Sequence, residues 1–159
     1  ADEAYEQVRD TLDELRTMEQ NGLEEDVQSF ASQAGSRAGF STYVHSTGQP
    51  GTLSHRQNRQ VMYILREILN NVEKHADAQN VDIHLLWREN EFRLIVRDDG
   101  KGFSLEKLPR DDAYGLAIMK ERSRAIIAQL VINSAPGSGT EITLILPLSL
   151  STFAEPKSQ

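Results

Sequence analysis

The chain of 159 residues contains no cysteine. This absence excludes disulfide frameworks, thiolate metal sites and thiol catalysis, and nothing else points to an oxidising compartment. No stretch approaches the roughly 20 apolar residues of a membrane-spanning helix. The start Ala-Asp-Glu at 1–3 carries acidic residues where a signal peptide would carry basic ones. Basic runs are missing, and 17 Lys+Arg against 24 Asp+Glu give a net charge of -7, which disfavours direct nucleic-acid binding.

The remaining composition is that of an ordinary globular domain. Hydrophobic residues make up 38% and charged residues 26% of the chain, and its length fits one domain with a short appendage. Because the sequence does not begin with Met, we expect a piece of a longer protein.

Hydrophobic periodicity divides the chain into helices and strands. Apolar residues recur at helical spacing over residues 4–19, 23–38, 54–76 and 118–129. Alternation predicts a short strand over 40–44 and two hairpins, 81–87 with 92–96 and 130–133 with 142–146. Residues 103–114 show no sustained period and predict a loop. Helices interleaved with antiparallel hairpins indicate an α/β fold, a two-layer sandwich with helices on one face of the sheet.

The helix predicted over residues 54–76 carries an unusual row of polar side chains. Glu67, Asn71 and Lys74 stand at i, i+4 and i+7, so a carboxylate, an amide and an amine share one face. A solvated helix surface accounts for most such rows. Two adjacent Asn residues in mid-helix, however, cost helix propensity, which indicates a compensating role.

Glycine-containing turns follow at three further places. The segment DDGKG at 98–102 comes directly after a strand, where glycines allow a ligand close to the backbone and Asp98 can accept a hydrogen bond from an exocyclic amine. Gly115 is placed by the pattern at the opening of a helix, whose free N–H groups attract phosphate. The segment GSGT at 137–140 opens a strand. Each feature alone is equally typical of an ordinary turn or cap.

Taken in order, the four features resemble the catalytic, ATP-binding domain of two-component sensor histidine kinases. EILNNVEKHA at 67–76 resembles the N box, DDGKG at 98–102 the G1 box, GLAIMKER at 115–122 the G2 region and GSGT at 137–140 the final glycine box. The match spans roughly residues 53–147. The residues of the first and third boxes are most similar to those of the nitrate/nitrite sensor kinase subfamily.

The resemblance implies a Bergerat fold, in which a mixed sheet lies under a helical layer and ATP binds between them. It implies that Asn71 holds Mg²⁺, that Lys74 and His75 touch phosphate oxygens, that Asp98 recognises the adenine amine and that Glu67 is the general base. Residues 103–114 would form a mobile ATP lid. The other implied nucleotide contacts are Gly100, Gly102, Gly115, Leu116, Gly139 and Thr140.

The resemblance also implies an organisation and a set of partners. Residues 1–20 would be the end of a dimerisation helix and a linker, 21–148 the catalytic domain and 149–159 a polar tail. The domain would transfer the ATP γ-phosphoryl group to a histidine on an upstream dimerisation helix, and then to a response regulator with a LuxR-type DNA-binding domain. The parent protein would be a homodimer anchored in the inner membrane, with this domain on the cytoplasmic side.

Two departures keep alternatives open. Ala117 replaces the second glycine of the G2 pattern, which bears on the tightness of phosphate contact. None of the four histidines precedes Asp or Glu, so the acceptor is expected upstream and the chain alone should not phosphorylate itself. The alternatives are a nucleotide-binding regulatory module without phosphotransfer and a serine kinase of the anti-sigma-factor type.

Overall fold

The computed structural model describes Ala4, Tyr5, Val8, Arg9 and residues 22–148. The helix predicted over 4–19 lies mostly outside these residues, and the predicted tail from 149 lies wholly outside them. Within the described part of the chain, no helix is long and apolar enough to cross a membrane. In chain order the elements are α1 (Leu23–Ala38), β1 (Ser41–Thr47), α2 (His55–Asn71) continued by a π-helical turn (Val72–Ala76), β2 (Asn80–Trp87), β3 (Glu91–Asp98), a 3₁₀ turn (Leu105–Lys107), α3 (Arg110–Ala125), β4 (Gln129–Ser134) and β5 (Thr140–Pro147).

The strands form one mixed sheet in the order β1-β2-β3-β5-β4. The pairs β2–β3 and β4–β5 are the two predicted hairpins, and β3 and β5 join them antiparallel. β1 instead pairs with β2 in parallel, from Ser41 opposite Asn80 to Thr47 opposite Leu86. Parallel neighbours need a crossover connection, and here that connection contains α2. The predicted mixed sheet under a helical layer is therefore confirmed.

The core lies between the sheet and the helices. Val81, Ile83, Leu85 and Trp87 of β2 are buried, so the alternation read from the sequence sorts this strand correctly. Their neighbours along the strand face the open side of the sheet. The α2 residues in the core are Val61, Met62, Ile64, Leu65, Ile68 and Leu69. Each fully buried aliphatic side chain contributes roughly 1.5–3 kcal/mol, so this stripe fixes α2 on the sheet.

Local signals set the ends of the first two helices. α1 stops at Ala38 because Gly39 adopts φ 86° and its N–H donates to the Gly35 carbonyl at 2.8 Å. α2 starts after Ser54, whose Oγ accepts the Gln57 N–H at 3.1 Å while Gln57 Oε1 accepts the Ser54 N–H at 2.9 Å. This reciprocal pair is a capping box. Both boundaries agree with the sequence prediction.

The start of α3 differs from the prediction. A loop was expected over residues 103–114, but α3 begins at Arg110 and the irregular part ends at Pro109. Asp111 and Asp112 in the first turn interact favourably with the positive end of the helix dipole. The first turn is polar and exposed, so it carries no apolar period from which a helix could be read. α3 also ends at Ala125 rather than near 129, and β1 extends to Thr47.

One residue after α3 adopts a costly backbone conformation. Ile127 has φ 59° and is 82% exposed, and its N–H donates to the Arg124 carbonyl at 3.0 Å. A β-branched residue in the left-handed region is strained, whereas glycine is not.

We therefore expect Ile127→Gly to raise the free energy of unfolding by about 0.5–1 kcal/mol, since relief of strain exceeds the added entropy of the unfolded chain. Urea denaturation measures the change. Thr52→Gly, an exposed β-branched loop position without positive φ, is the control and should lose stability. Equal destabilisation by both substitutions would contradict the expectation.

Candidate functional site

A cavity of about 230 Å³ lies between the end of α2 and the ends of β3 and β5. Asn71 and His75 line it from the helical side, and Asp98 and Thr140 line it from the strands. The apolar side chains along its walls are Ile68, Val72, Val96, Leu116 and Ile142. The arrangement therefore joins a polar helix end, an acidic strand end and an apolar slot.

A wider groove of about 1170 Å³ opens on the other side of the same strand ends. It shares Asp98 and Thr140 with the enclosed cavity, but its lining includes none of the α2 residues. Of these two, the smaller cavity brings α2 and strand groups together, so it is the candidate site.

The π-helical turn decides which residues of the predicted polar row reach the cavity. Asn71 is the last residue of α2, and from Val72 the chain winds more widely than an α-helix. The regular spacing used to align Glu67, Asn71 and Lys74 does not hold beyond Asn71. Asn71 and His75 line the cavity, whereas Glu67 is half-buried outside its lining and Lys74 is exposed.

A fork-shaped ion pair links this turn to α1. Arg37 at the end of α1 directs Nε to both Glu73 carboxylate oxygens at 3.3 Å and Nη2 to one of them at 3.2 Å. Glu73 lies between Asn71 and His75 in sequence, on the same turn. The turn that faces the cavity is thus attached to the first helix of the domain.

Asp98 is the buried acid of the site. Its carboxyl is only 7% exposed, and Oδ1 accepts the Gly100 N–H at 2.9 Å. Burial raises the pKa of Asp98 above its ordinary value, although hydrogen bonds from the backbone N–H groups of Gly100 and Thr140 lower it. The side chain is therefore a fixed hydrogen-bond acceptor beside an apolar slot.

Ser134, which the sequence reasoning missed, organises the strand end opposite Asp98. Its Oγ accepts the Phe103 N–H at 2.9 Å and lies 2.7 Å from Thr140 Oγ1. Thr140 itself stands opposite Asp98 in the β3–β5 register. No local signal in the sequence distinguishes this serine, because its partners are 31 and 6 residues away.

The predicted glycines mostly serve close packing between turns. A Cβ on Gly100 would lie 2.2 Å from the Ala76 carbonyl oxygen, and one on Gly139 would lie 2.2 Å from the Asp98 carbonyl oxygen. Gly102 would meet the Ala135 carbonyl oxygen at 2.1 Å, and it alone of these three lines the cavity. These residues let the turns approach one another, so their effect on the cavity is chiefly indirect.

The expectation that Gly115 opens a helix is wrong. It lies in the second turn of α3, whose first turn begins at Arg110, so its N–H is not among the free groups of a helix end. A Cβ at this position would meet nothing within 4 Å. The next residue, Leu116, is buried and lines the cavity as an apolar contact.

The segment before α3 and its first turn cover the cavity. Phe103, Leu108 and Asp112 belong to its lining, and Lys101 lies beside them. His75 Nε2 lies 2.9 Å from Asp112 Oδ1, which joins the π-helical turn to α3. Phe103 and Leu108 are apolar residues in a stretch predicted as loop, but the apolar Leu105 between them is 47% exposed, so composition alone does not show which of them contact the cavity.

The geometry is that of an α/β domain in which a helix end and the turn after β3 border a slot beside a mixed sheet. Over residues 56–150 the chain matches the family model described as "Histidine kinase-, DNA gyrase B-, and HSP90-like ATPase". Since this match covers more than half of the chain, the chain belongs to that family. ATP is therefore the ligand that the fold implies.

Its relatives are sensor histidine kinases, which confirms the resemblance drawn from the four boxes. The chain is 30% identical to sensor histidine kinase LiaS of Bacillus subtilis, over 100% of this chain and 43% of that protein. It is 34% identical to the kinase/phosphatase DegS of Brevibacillus brevis, over 54% and 22%. It is 25% identical to nitrate/nitrite sensor protein NarX of Escherichia coli, over 89% and 24%. The chain thus spans less than half the length of these relatives.

Solved structures show the same fold at low sequence identity. The histidine kinase domain of the blue-light activated kinase EL346 of Erythrobacter litoralis superposes with a TM-score of 0.63 at 20% identity, covering 82% of this chain and 63% of that one. Histidine kinase AdeS of Acinetobacter baumannii gives 0.65 at 16% identity, covering 92% and 80%.

The buried charge of Asp98 has a consequence for stability. Because its folded pKa is raised, the native chain keeps this proton to a higher pH than the unfolded chain. The stability that protonated Asp98 contributes to the fold is therefore fully present below the pKa of the unfolded chain. It is lost as the pH rises through the pKa of the folded chain. At neutral pH the ionised carboxylate costs stability.

We expect Asp98→Asn to raise the thermal midpoint at pH 7 by roughly 2–4 °C while weakening ATP binding. The amide oxygen still accepts the Gly100 N–H, but the buried charge is gone. Thermal unfolding at pH 7 and pH 5 measures the effect, which should be smaller at pH 5. Asp82→Asn, an exposed acid on β2, is the control; a loss of stability specific to Asp98→Asn would contradict the expectation.

Proposed function

We propose that this chain binds Mg²⁺-ATP in the cavity between α2 and the β3 and β5 ends, and that it transfers the γ-phosphoryl group to a histidine of a separate helix. The observation that carries the proposal is the convergence of Asn71 and His75 with Asp98 and Thr140 on one cavity. Membership of the ATPase family and the sensor-kinase relatives support it.

In this proposal Asp98 accepts a hydrogen bond from the exocyclic amine of adenine. The carboxyl is buried and already fixed by the Gly100 N–H, so little further ordering is needed when the base binds. Val96 and Ile142 are apolar neighbours of Asp98 in the cavity and suit the faces of a flat ring. Thr140 and the turns at Gly100, Gly102 and Gly139 complete this end.

The residues present fit a magnesium ion that arrives with the nucleotide. Among the described residues no three or more His, Asp or Glu side chains are grouped to hold a metal ion. Asn71 offers one amide oxygen at the cavity, and Mg²⁺ in such sites takes most of its ligands from phosphates and water. The ion would neutralise charge on the phosphates. His75 supplies a further hydrogen-bonding group at the same end of the cavity. Lys74 is exposed outside the lining, so in this proposal it contacts phosphate oxygens from the solvent side.

In the proposed transfer of the γ-phosphoryl group, Glu67 acts as the general base. It precedes Asn71 by one helical turn on α2 and is half-buried, so a histidine docked beside this face can transfer a proton to it. The imidazole nitrogen then forms a bond to the γ-phosphorus as the bond to the β–γ bridging oxygen breaks. Phosphoryl transfer depends mainly on positioning and charge neutralisation, which the proposed contacts provide.

The cover over the cavity supports a lid in residues 103–114. At about 230 Å³ the cavity is smaller than the 300–1,000 Å³ typical of sites for ligands of drug size, and ATP is a ligand of that size. In this proposal Phe103, Leu108 and Asp112 move outward so that the whole nucleotide is enclosed. That motion separates Asp112 from His75, whose imidazole then becomes available to a phosphate oxygen.

The organisation of the parent protein is part of the proposal. Residues 1–20 form the end of a dimerisation helix and a linker, 21–148 the catalytic domain and 149–159 a tail. The parent is a homodimer that passes the phosphoryl group to a response regulator with a LuxR-type DNA-binding domain. The sensor relatives, NarX among them, support this arrangement. The absence of cysteine is compatible with a place on the cytoplasmic side of an inner-membrane protein.

Nucleotide titration tests the proposed phosphate end. Asn71→Ala should weaken ATP binding by at least about tenfold in the presence of Mg²⁺, because a ligand to the ion is lost. Adenosine, which carries no phosphate, should bind wild type and variant equally. Isothermal titration of both ligands measures the effect. Asn70→Ala, the neighbouring amide outside the cavity lining, is the control, and equal ATP affinity in wild type and Asn71→Ala would remove the proposed site.

Phosphotransfer is tested with a separately expressed pair of dimerisation helices from a parent protein and labelled ATP. We expect label on the helix histidine and none on this chain alone, and Glu67→Gln should slow transfer by roughly 10² to 10⁴.

The two alternatives give different results in the same assay. A nucleotide-binding regulatory module would bind ATP without labelling the helix pair. A serine kinase would yield acid-stable phosphate, whereas phosphohistidine is acid-labile. A labelled band from this chain alone would contradict the proposal.

A further inference from the structure

Asp99, next to the buried Asp98, closes a clamp between two strands. Its Oδ1 accepts the N–H groups of Gln79 and Asn80, both at 2.9 Å. Its Oδ2 accepts Nδ2 of Asn80 at 2.8 Å, and its own N–H donates to the Asn80 carbonyl at 3.2 Å. Four hydrogen bonds thus join the start of β2 to the residue that follows β3.

The clamp sits at the end of the sheet where Asp98 must be held. Asp98 is the last residue of β3 and pairs with Val81, one position inside the bonds of Asp99. On its other side Asp98 pairs with Thr140, and the backbone of Gly139 approaches its carbonyl oxygen closely. The clamp is therefore the outermost tie between β2 and the turn that carries Asp98.

We propose that Asp99 is a positioning residue that fixes the Asp98 carboxylate at the base end of the cavity and so enforces adenine over guanine. The inference rests on the proposed contact between Asp98 and adenine. Adenine presents an amine donor at the position where guanine presents a carbonyl oxygen. A carboxylate held at this position accepts a bond from adenine and repels guanine, whereas one that shifts loses both effects.

The hydrogen bonds distinguish Asp99 from an ordinary surface acid. Bonds from the Asn80 backbone and side chain hold the pKa of Asp99 below its usual range. Asp82, an exposed acid on the same strand as Asn80, has only an ion pair with His45 at 3.3 Å among the described residues. Removal of Asp82 changes the net charge as removal of Asp99 does, but leaves the clamp intact.

The test measures the dissociation constants of ATP and GTP for the full chain. Asp99→Ala should weaken ATP binding about tenfold without weakening GTP binding, so the preference for ATP narrows at least about tenfold, as expected for a misplaced contact group. Asp99→Asn should retain the wild-type preference within about threefold, because its amide oxygen still accepts both backbone N–H groups. The Asp82→Ala control should match wild type.

An unchanged ATP-to-GTP preference in folded Asp99→Ala would overturn the inference. Asp99 would then only stabilise the fold. If Asp99→Ala fails to fold, Asp99→Ser takes its place, because a hydroxyl one bond shorter than the carboxylate does not reach the Gln79 and Asn80 N–H groups as Oδ1 does. Asp99→Ser must then narrow the preference, and an unchanged ratio overturns the inference. Failure of the proposed function is seen separately, as wild type that does not bind ATP or as Asp98→Asn that binds it like wild type.

Discussion

The site depends on the docking of the π-helical turn after α2 onto the turn after β3. The Lys101 N–H donates to the Ala76 carbonyl at 2.7 Å, and Gly100 leaves room for that carbonyl, since a Cβ there would lie 2.2 Å from its oxygen. This contact brings a helix end and a strand end to the same cavity. It adds a direct backbone tie to the packing of Ile68 and Val72 beside Val96, which line the same cavity as Asn71 and Asp98.

Much of the fold could be predicted because its causes are local. Periodicity and caps define α1 and α2, for which Gly39 and the Ser54–Gln57 pair mark the ends. The hairpins follow from alternating residues with short turns between them. The family resemblance then supplied the mixed character of the sheet, whose parallel β1–β2 pair depends on contacts 39 residues apart in sequence. Nothing in the local pattern of β1 distinguishes a parallel from an antiparallel neighbour.

The site was predicted less completely, because its geometry depends on irregular backbone. Ideal helical spacing places Glu67 and Lys74 on one face of α2. The wider winding of the π-helical turn breaks this spacing, and Lys74 is exposed. Gly115 looked like a helix start because the polar turn before it carries no apolar stripe. Ser134 accepts a hydrogen bond from Phe103, 31 residues away, and Asp99 accepts bonds from Gln79 and Asn80, 20 and 19 residues away. Their importance therefore appears only when the strands are paired.

The ion pair between Arg37 and Glu73 joins α1 to the π-helical turn at the surface of the domain. Because more than half of the Arg37 side chain is exposed, such a pair contributes at most about 1 kcal/mol. Dissolved salt screens exposed charges of this kind. The tie between α1 and the turn that bears His75 is therefore one that ionic strength loosens.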